Sequence, residues 1–548
     1  MSASDKKKLR KEQESAALTE KQLAQKKADK QLKNYTLTFI VVMVLVVAIA
    51  VGSMGIGWYN NSGIPARGTV AVTIGDTTMS NVDLNYYFID YINNFYGDAY
   101  DQYGSYASLY ISATMGLDMT QPLSAQIYNT TTGETWADYF VDCAINSAKS
   151  TYALYDKAMS GGEYELPEDF ETQVNASLAS TKALAGYYGF SSMEAYIKAM
   201  YGNGATVESY EDYFRINAIA ESYYTDCYRN LQYTDEDIET YNAEHYNEFS
   251  TFEYSYFYIP VTKYYPETEE GVEVTDDEKA AAVISAKEAA DALAKATDLE
   301  NLNALISILP FATETTDAEV IDGTALKSIP ELYREWIADS ARVPGNISVF
   351  EYESDSDKDE NVDGYYVVLF QGREDNNTLL RSVRHILVKF EGGKVENGKT
   401  VYTDEEKATA KAAAEKIYND WLNGGELTNE TFAAMVTTET SDDSGSNTNG
   451  GLYENVYVGQ MVTNFNDWVY DPARQPGDHG IIETEIGYHI MFFVEEQDNT
   501  YREYLIEYTL RNTDINKWYE DLIKTVTVTE GDTSYINKAI VIASASAS

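Results

Sequence analysis

The sequence has 548 residues, with 40 Lys and Arg against 88 Asp and Glu, and its formal net charge is −48 at pH 7. A single hydrophobic core stops growing at about 250–300 residues, so this length predicts several domains. The strong negative charge repels phosphate backbones and anionic lipid surfaces, and we therefore expect no nucleic acid partner.

The basic side chains are concentrated at the N-terminus, where residues 1–34 carry ten basic and five acidic groups. The uncharged apolar run 37–58 follows directly and is long enough to cross the roughly 30 Å hydrocarbon core of a bilayer. We therefore predict a basic cytoplasmic segment 1–34, an uncleaved transmembrane helix 35–60 and a large extracellular domain, as in a single-pass cell-membrane protein. The alternative is a cleaved signal peptide with its site at 48–50, which the long basic segment disfavours.

Residues 68–250 predict a mostly helical domain. A short alternating strand ends at the turn Gly75-Asp76, and apolar residues then recur at three- and four-residue steps. The many tyrosines suit ordinary helix packing as well as the binding of extended peptide segments, because the ring is apolar and its tip is polar. Cys143 and Cys227 both lie in this domain, where a disulfide and two free thiols are both compatible with the sequence.

An internal repeat organises the region after residue 250. Four blocks occur twice in similar form and in the same order: EYSYFYI at 253–259 and SVRHILV at 382–388, TDDEKAAA at 275–282 and TDEEKATA at 403–410, YREWIADSARVPGN at 333–346 and FNDWVYDPARQPGD at 465–478, and GYYVVLF at 364–370 and GYHIMFF at 487–493. These blocks predict two copies of one α+β fold with a small antiparallel sheet.

His489 is one of only four histidines and lies in an apolar strand, where a core histidine with satisfied ring nitrogens is the plain interpretation. Its surroundings favour another interpretation. The motifs of the second copy are RHILVK at 384–389, TSDDSGSNTNGGLY at 440–453, GQMVTNF at 459–465 and ETEIGYHIMFF at 483–493. In these motifs and in their order, the second copy resembles the parvulin-type peptidyl-prolyl isomerases. The whole layout resembles the extracytoplasmic foldases of the PrsA and SurA kind, in which a helical chaperone domain is joined to parvulin modules.

The resemblance implies that His385 and His489 lie together beneath a substrate proline, with Asp443 and Thr484 as their catalytic partners. It also implies an apolar wall around the proline ring, formed by the substrate-binding residues Leu452, Met461 and Phe465. Rotation about an X-Pro bond breaks no covalent bond, so we expect no cofactor and no metal.

The first copy lacks this polar centre. Tyr256 stands at the position of His385 and Tyr366 at that of His489. We therefore expect the first copy to be inactive and to serve as a spacer or as a peptide-binding module.

These inferences predict an α+β protein with a single N-terminal transmembrane helix, a mostly helical chaperone-like domain and two tandem parvulin-like modules. The predicted boundaries are 68–250 for the helical domain, 251–378 for the degenerate module, 379–496 for the isomerase module and 497–548 for a C-terminal segment that returns to the helical domain. The expected function is a peptidyl-prolyl isomerase and chaperone that assists the folding of exported proteins outside the cytoplasmic membrane.

The expected partners are unfolded or partly folded exported proteins with X-Pro segments, and the cytoplasmic membrane through the N-terminal helix. The alternative function is a non-catalytic peptide-binding chaperone in which both parvulin modules are inactive.

Overall fold

The computed structural model describes residues 62–540 except 163, 268–272, 314–315, 355–361, 397 and 438–439. The described residues divide into two compact units. The first lies within Met1–Gln232, Asn397–Lys399 and Arg511–Ser548, and the second within Tyr233–Glu396 and Thr400–Leu510.

The first unit is mostly helical. Its elements up to residue 232 are α1 Ile64–Gly68, β1 Val70–Ile74, β2 Thr77–Ser80, α2 Asn81–Tyr103, α3 Ala107–Met115, β3 Ile127–Asn129, β4 Glu134–Thr135, α4 Trp136–Met159, α5 Phe170–Tyr187, α6 Met193–Tyr201 and α7 Val207–Asn230. The two long helices α2 and α4 each begin with a capping box, in which Ser80 or Thr135 exchanges hydrogen bonds with the aspartate three positions later. Cys143 and Cys227 are free thiols.

The second unit contains both strands and helices. Its elements are α8 Asp235–His245, β5 Thr251–Pro260, α9 Asp276–Leu293, α10 Leu299–Ile306, β6 Glu319–Ala325, α11 Glu331–Ala338, β7 Ile347–Tyr352, β8 Gly364–Glu374, β9 Leu379–Lys389, β10 Lys394–Glu396, β11 Lys399–Val401, α12 Asp404–Leu422, α13 Asn429–Met435, β12 Leu452–Val456, α14 Thr463–Val469, β13 His479–Glu483 and β14 Gly487–Thr500. The repeated blocks at 275–282 and 403–410 start α9 and α12 with matching capping boxes, as the sequence predicts.

Two four-stranded antiparallel sheets in the second unit have the same topology. Their strand orders are β6-β5-β8-β7 and β12-β9-β14-β13. In each sheet one face packs against a pair of helices, α9 with α10 or α12 with α13. The other face packs against a single short helix, α11 or α14. In the second sheet this second face carries His385 and His489.

The chain ends with α15 Tyr501–Thr525 and β15 Val528–Glu530. β15 pairs antiparallel with β1, and Thr529 lies opposite Thr73. Ile536 and Ile540 are buried in the core of the first unit. The C-terminal residues thus complete both the small sheet and the core of that unit.

The membrane-spanning part of the predicted fold class needs a correction. No helix in the described ranges is long and apolar enough to cross a membrane. The longest of them, α15, has 25 residues and carries charged side chains from its first turn to its last, and such groups are costly in hydrocarbon. The predicted segments 1–34 and 35–60 lie outside the described residues.

The prediction of a single-pass fold and the predicted localisation in the cell membrane, with a cytoplasmic N-terminus and an extracellular domain, are therefore corrected. The fold is a mixed α and β fold without a membrane-spanning helix in the part of the chain that the structure describes.

Candidate active site

His385 and His489 lie on neighbouring strands of the second sheet. β9 and β14 pair with His385 opposite Met491 and His489 opposite Leu387, so the two histidines are diagonal neighbours on one face. Their exposed fractions are 0% and 1%. The two Nδ1 atoms are 3.1 Å apart, and the ring centroids are 5.3 Å apart. The sheet register therefore brings together two buried imidazoles that are 104 positions apart in the chain.

A polar side chain lies at each end of the histidine pair. Asp443 Oδ2 is 2.9 Å from His385 Nε2, and Thr484 Oγ1 is 3.0 Å from His489 Nε2. Thr484 is buried, and the side chain of Asp443 is 12% exposed. Asp443, His385, His489 and Thr484 thus form one hydrogen-bonded line, which we call the polar row. All four residues that the sequence analysis proposed as catalytic lie in it.

The polar row satisfies every ring nitrogen in two protonation states. When both rings are neutral, His385 Nε2 donates to Asp443, His489 Nδ1 donates to His385 Nδ1, and the Thr484 hydroxyl donates to His489 Nε2. With one further proton on the histidine pair, His489 Nε2 donates to Thr484 and the threonine hydroxyl turns to the carbonyl of Gly487, 3.2 Å away. Every ring nitrogen is therefore hydrogen-bonded both in the neutral pair and in the pair that carries one extra proton.

Asp443 is held by two further hydroxyl groups. Its Oδ2 accepts hydrogen bonds from Ser446 at 2.9 Å and from Tyr453 at 2.7 Å, in addition to the one from His385. Burial, followed by the hydrogen bond to Asp443 and its negative charge, raises the pKa of the Tyr453 phenol well above its usual value. Tyr453 therefore stays protonated and donates to the carboxylate. Neither Ser446 nor Tyr453 was predicted from the sequence.

Backbone hydrogen bonds fix the loop 440–451 to β9. The amide of Asp442 donates to the carbonyl of Leu387 at 2.7 Å, and the amide of His385 donates to the carbonyl of Gly451 at 3.0 Å. Gly451 has a φ of +74°, and a Cβ atom there would lie 2.4 Å from the carbonyl oxygen of His385. Only glycine permits this close approach, which places Asp443 beside the imidazole.

Arg384 holds the end of the same loop. Its Nε donates to Asn429 Oδ1 at 2.6 Å, and its Nη1 donates to the carbonyls of Asn449 and Gly450 at 2.7 and 2.8 Å. The arginine is adjacent to His385 in β9, so its side chain leaves the opposite face of the strand. Arg384 is therefore a positioning residue, which the sequence analysis did not single out.

An apolar wall adjoins the polar row. The ring of Phe465 in α14 makes edge contacts with both imidazoles, with centroid distances of 5.5 Å in each case. The ring of Tyr453 lies 4.6 Å from His385 and 6.4 Å from Phe465. Met461 is partly buried against the same cluster. Phe465 is 2% exposed, so Met461 and Tyr453 provide the accessible part of this wall.

Leu452 differs from the other proposed wall residues in its placement. It pairs with Arg384 across β12 and β9, and it is not a member of the apolar cluster around Phe465. Successive side chains of a strand point to opposite faces, so Leu452 points away from the face on which Tyr453 meets His385. Tyr453, the next residue, is the one that lies on the face of the polar row.

The other two histidines lie outside the polar row. His479 Nδ1 is 2.6 Å from the hydroxyl of Tyr418, and its ring packs edge-on against Trp421. Burial lowers its pKa. His245 Nδ1 is 2.7 Å from Glu248 Oε1.

One family model matches this part of the chain. Residues 365–497 match the family model described as the PPIC-type PPIASE domain, which covers the whole polar row. The resemblance of this region to parvulin-type peptidyl-prolyl isomerases is thereby confirmed. No match is found among curated proteins.

Three solved structures show weak overall similarity. Peptidylprolyl isomerase PrsA from Bacillus anthracis is 18% identical, with 28% of this chain and 59% of that chain covered and a TM-score of 0.17. For the SurA-like chaperones PEB4 and Cj1289 of Campylobacter jejuni, the match has 20% identity, coverage of 27% and 51%, and a TM-score of 0.16. PrsA from Bacillus subtilis is 12% identical, with coverage of 71% and 88% and a TM-score of 0.27. The chain thus spans little more than half the length of the first two.

Proposed function

We propose, from the premise that residues 365–497 are a PPIC-type peptidyl-prolyl isomerase domain, that the whole protein isomerises X-Pro peptide bonds and acts as a folding chaperone. Its partners in this proposal are unfolded or partly folded proteins that expose X-Pro segments. The observation that carries the proposal is the complete polar row, with His385, His489 and Thr484 buried and Asp443 partly exposed, beside the wall of Tyr453, Met461 and Phe465.

The reaction requires rotation and no bond cleavage. Rotation about a peptide bond must cross a barrier of about 18–20 kcal/mol, because amide resonance is lost in the twisted state. A planar amide is more polar than a twisted one, so a site that removes water from it destabilises the planar form. Met461 and Tyr453 provide apolar surface against which a proline ring packs, and the bound peptide is held in a bent form close to the twisted state.

The polar row gives this surface its fixed shape. The two imidazoles lie behind the wall and are locked by Asp443 at one end and Thr484 at the other. We assign His385, His489 and Thr484 positioning roles, since a nucleophile gains nothing in a reaction that breaks no bond. Asp443, whose side chain is partly exposed, faces the carbonyl side of the substrate in this proposal.

The chaperone part of the proposal rests on exposed side chains of the first unit. Tyr106, Leu109 and Tyr187 are 68%, 67% and 76% exposed. Large exposed apolar side chains suit the transient binding of unfolded segments. We further propose that 68–250 is the chaperone domain, that 379–496 carries the isomerase activity, and that 251–378 does not isomerise.

The test measures cis-trans exchange in X-Pro peptides with the full chain, its His489→Ala variant and a His245→Ala control. We expect catalysis by the wild-type and His245→Ala proteins and strongly reduced catalysis by His489→Ala, because His489 belongs to the polar row and His245 does not. A wild-type chain that is folded but inactive on every X-Pro peptide of a series contradicts the isomerase proposal.

The alternative is a chaperone without catalysis. It predicts that the full chain suppresses aggregation of an unfolded client while proline exchange stays at the uncatalysed rate. The intact polar row favours the isomerase, because a pure binding site has no need of a buried and fully hydrogen-bonded histidine pair.

A further inference from the structure

The first sheet carries tyrosines where the second sheet carries the polar row. Tyr256 lies opposite Val368 in the first sheet, as His385 lies opposite Met491 in the second. Tyr366 lies opposite Phe350 on the edge strand, as His489 lies opposite Ile482.

The neighbouring positions follow the same register. Tyr352 stands two residues beyond Phe350, as Thr484 stands two residues beyond Ile482. Tyr333 in α11 corresponds to Phe465 in α14 through the repeated blocks 333–346 and 465–478. The place of the isomerase site is thus occupied by aromatic rings.

These rings form one continuous cluster. The centroid of Tyr366 lies 5.8 Å from Tyr256, 4.7 Å from Tyr258, 5.6 Å from Tyr352 and 6.0 Å from Tyr333. Tyr333 is buried beneath the cluster, whereas the other four tyrosines are partly exposed. We call Tyr256, Tyr258, Tyr352 and Tyr366 the tyrosine surface.

The tyrosine surface also offers hydrogen-bond donors. Within the described part of the chain, the hydroxyl groups of Tyr258, Tyr352 and Tyr366 form no hydrogen bond. The hydroxyl of Tyr256 differs, because it donates to the carboxylate of Glu319 at 2.5 Å. Partly exposed phenols of this kind can donate to the backbone carbonyls of a bound peptide.

Two carboxylates give the surface a negative charge. Glu319 is exposed and contacts Tyr256, and the charge of Asp363 contributes to the raised pKa of Tyr258, after burial as the larger cause. The strongly negative charge of the chain as a whole adds to this field. A ligand that carries Lys or Arg complements the surface, and an acidic ligand does not.

We propose that the tyrosine surface binds proline-containing polypeptide segments with adjacent basic residues, and that it does so without isomerising them. Proline-rich segments dock on aromatic-lined surfaces at low entropic cost because their extended helix is preformed. The tyrosine rings receive the proline rings, the phenols donate to carbonyls, and Glu319 pairs with the basic side chain. Tyrosines stand at the positions of His385, His489 and Thr484, which leaves a binding surface without the catalytic arrangement.

The test is a titration of the full chain with a fluorescein-labelled peptide of three Lys-Pro-Pro-Leu repeats. Control peptides replace every proline by alanine or every lysine by glutamate. We expect both controls to bind more weakly. Tyr258→Ser combined with Tyr366→Ser should raise the Kd of the parent peptide about tenfold and leave kcat/KM for isomerisation unchanged.

His385→Ala should lower kcat/KM for isomerisation and leave the Kd of the parent peptide unchanged. Failure of the isomerase proposal and failure of this one can therefore be told apart. If the double tyrosine variant does not fold, Glu319→Lys at its exposed position decides. This substitution should raise the Kd of the Lys-containing peptide about threefold and lower the Kd of the Glu-containing peptide. A Kd that neither the tyrosine variant nor Glu319→Lys alters overturns the proposal.

Discussion

The two sheets of the second unit share one backbone framework and differ in the side chains at the centre of the second face. Strand order, register and the helix on the second face are the same, yet one centre holds the polar row with its buried histidine pair and the other a set of tyrosines. Scaffold and site therefore depend on different residues of one repeat. Residues that recur in both copies stabilise the fold, and residues that occur in only one copy give each sheet its chemistry.

A repeated tryptophan and arginine show what the shared residues do. The guanidinium of Arg342 lies 4.2 Å from the Trp336 ring, and that of Arg474 lies 3.9 Å from the Trp468 ring. In both copies the arginine Nε also donates to the carbonyl of its tryptophan, at 3.0 and 2.9 Å. The matching Trp, Ala-Arg and Pro-Gly of the two blocks thus encode one local structure twice.

The largest expected effect follows from removal of one imidazole. His385→Ala removes the imidazole that Asp443 and the Nδ1 of His489 share as a partner, so each loses one of the hydrogen bonds that position it. We expect kcat/KM for X-Pro isomerisation to fall about 100-fold, since small displacements in a site have effects of this size. Tyr256→Ala, at the matching position of the first sheet, is the control and should retain activity. Equal losses in both variants would mean that the two centres act as one.

Loss of the charge at the end of the polar row should have a smaller effect. Asp443→Asn keeps the shape of the side chain but weakens the three hydrogen bonds that converge on Oδ2. Hydrogen bonds to charged groups contribute about 1.5–3 kcal/mol, so a drop in kcat/KM of roughly 10-fold or more is expected. Asp442→Asn, at the neighbouring position, is the matched control. If Asp442→Asn lowers kcat/KM more than Asp443→Asn does, the role assigned to Asp443 in the polar row is wrong.

Substitutions at two adjacent residues test the hydrogen bond from Tyr453 to Asp443 and the wall position proposed for Leu452. Tyr453→Phe removes only the hydroxyl that donates to Asp443, and we expect kcat/KM to fall about fivefold, as for the loss of about 1 kcal/mol. Leu452→Ala should leave KM and kcat nearly unchanged, because this side chain leaves the other face of β12. A large rise in KM for Leu452→Ala would instead support the sequence-based proposal that Leu452 is part of the wall.

In the shared framework the expected effects are on stability, and each is confined to one sheet. Arg342→Ala and Arg474→Ala each remove a contact with a tryptophan ring, a hydrogen bond to the carbonyl of that tryptophan and the ion pairing with nearby aspartates. Each should destabilise its own sheet by about 1–2 kcal/mol. Hydrogen exchange resolved by segment measures this in the full chain. Faster exchange should be confined to β5–β8 for Arg342→Ala and to β9–β14 for Arg474→Ala. Uniform acceleration in both variants would show that the two sheets unfold together.

Local patterns in the sequence predicted the elements and the residue types of the site. The capping boxes of α9 and α12 follow from Thr275 with Glu278 and Thr403 with Glu406, since each cap needs only neighbours three positions apart. The strands that carry His385 and His489 also follow from a local pattern, because the apolar neighbours of these histidines indicate buried strands. The membrane-spanning helix was also inferred from a local pattern, and the described structure does not contain one.

Only the tertiary structure decided which side chains meet. The contact between the two imidazoles depends on the register of β9 and β14, which chain-distant pairing fixes. Whether Tyr453 or Leu452 lies near His385 depends on which face of β12 is turned to that histidine. The sequence of a short strand alternates between its faces in the same way in both cases. The roles of Ser446 and Arg384 arise from the folded loop 440–451. The sequence by itself therefore determined elements, repeat and residue types, because these depend on near neighbours, while the partners in the site were decided by pairing across the sheet.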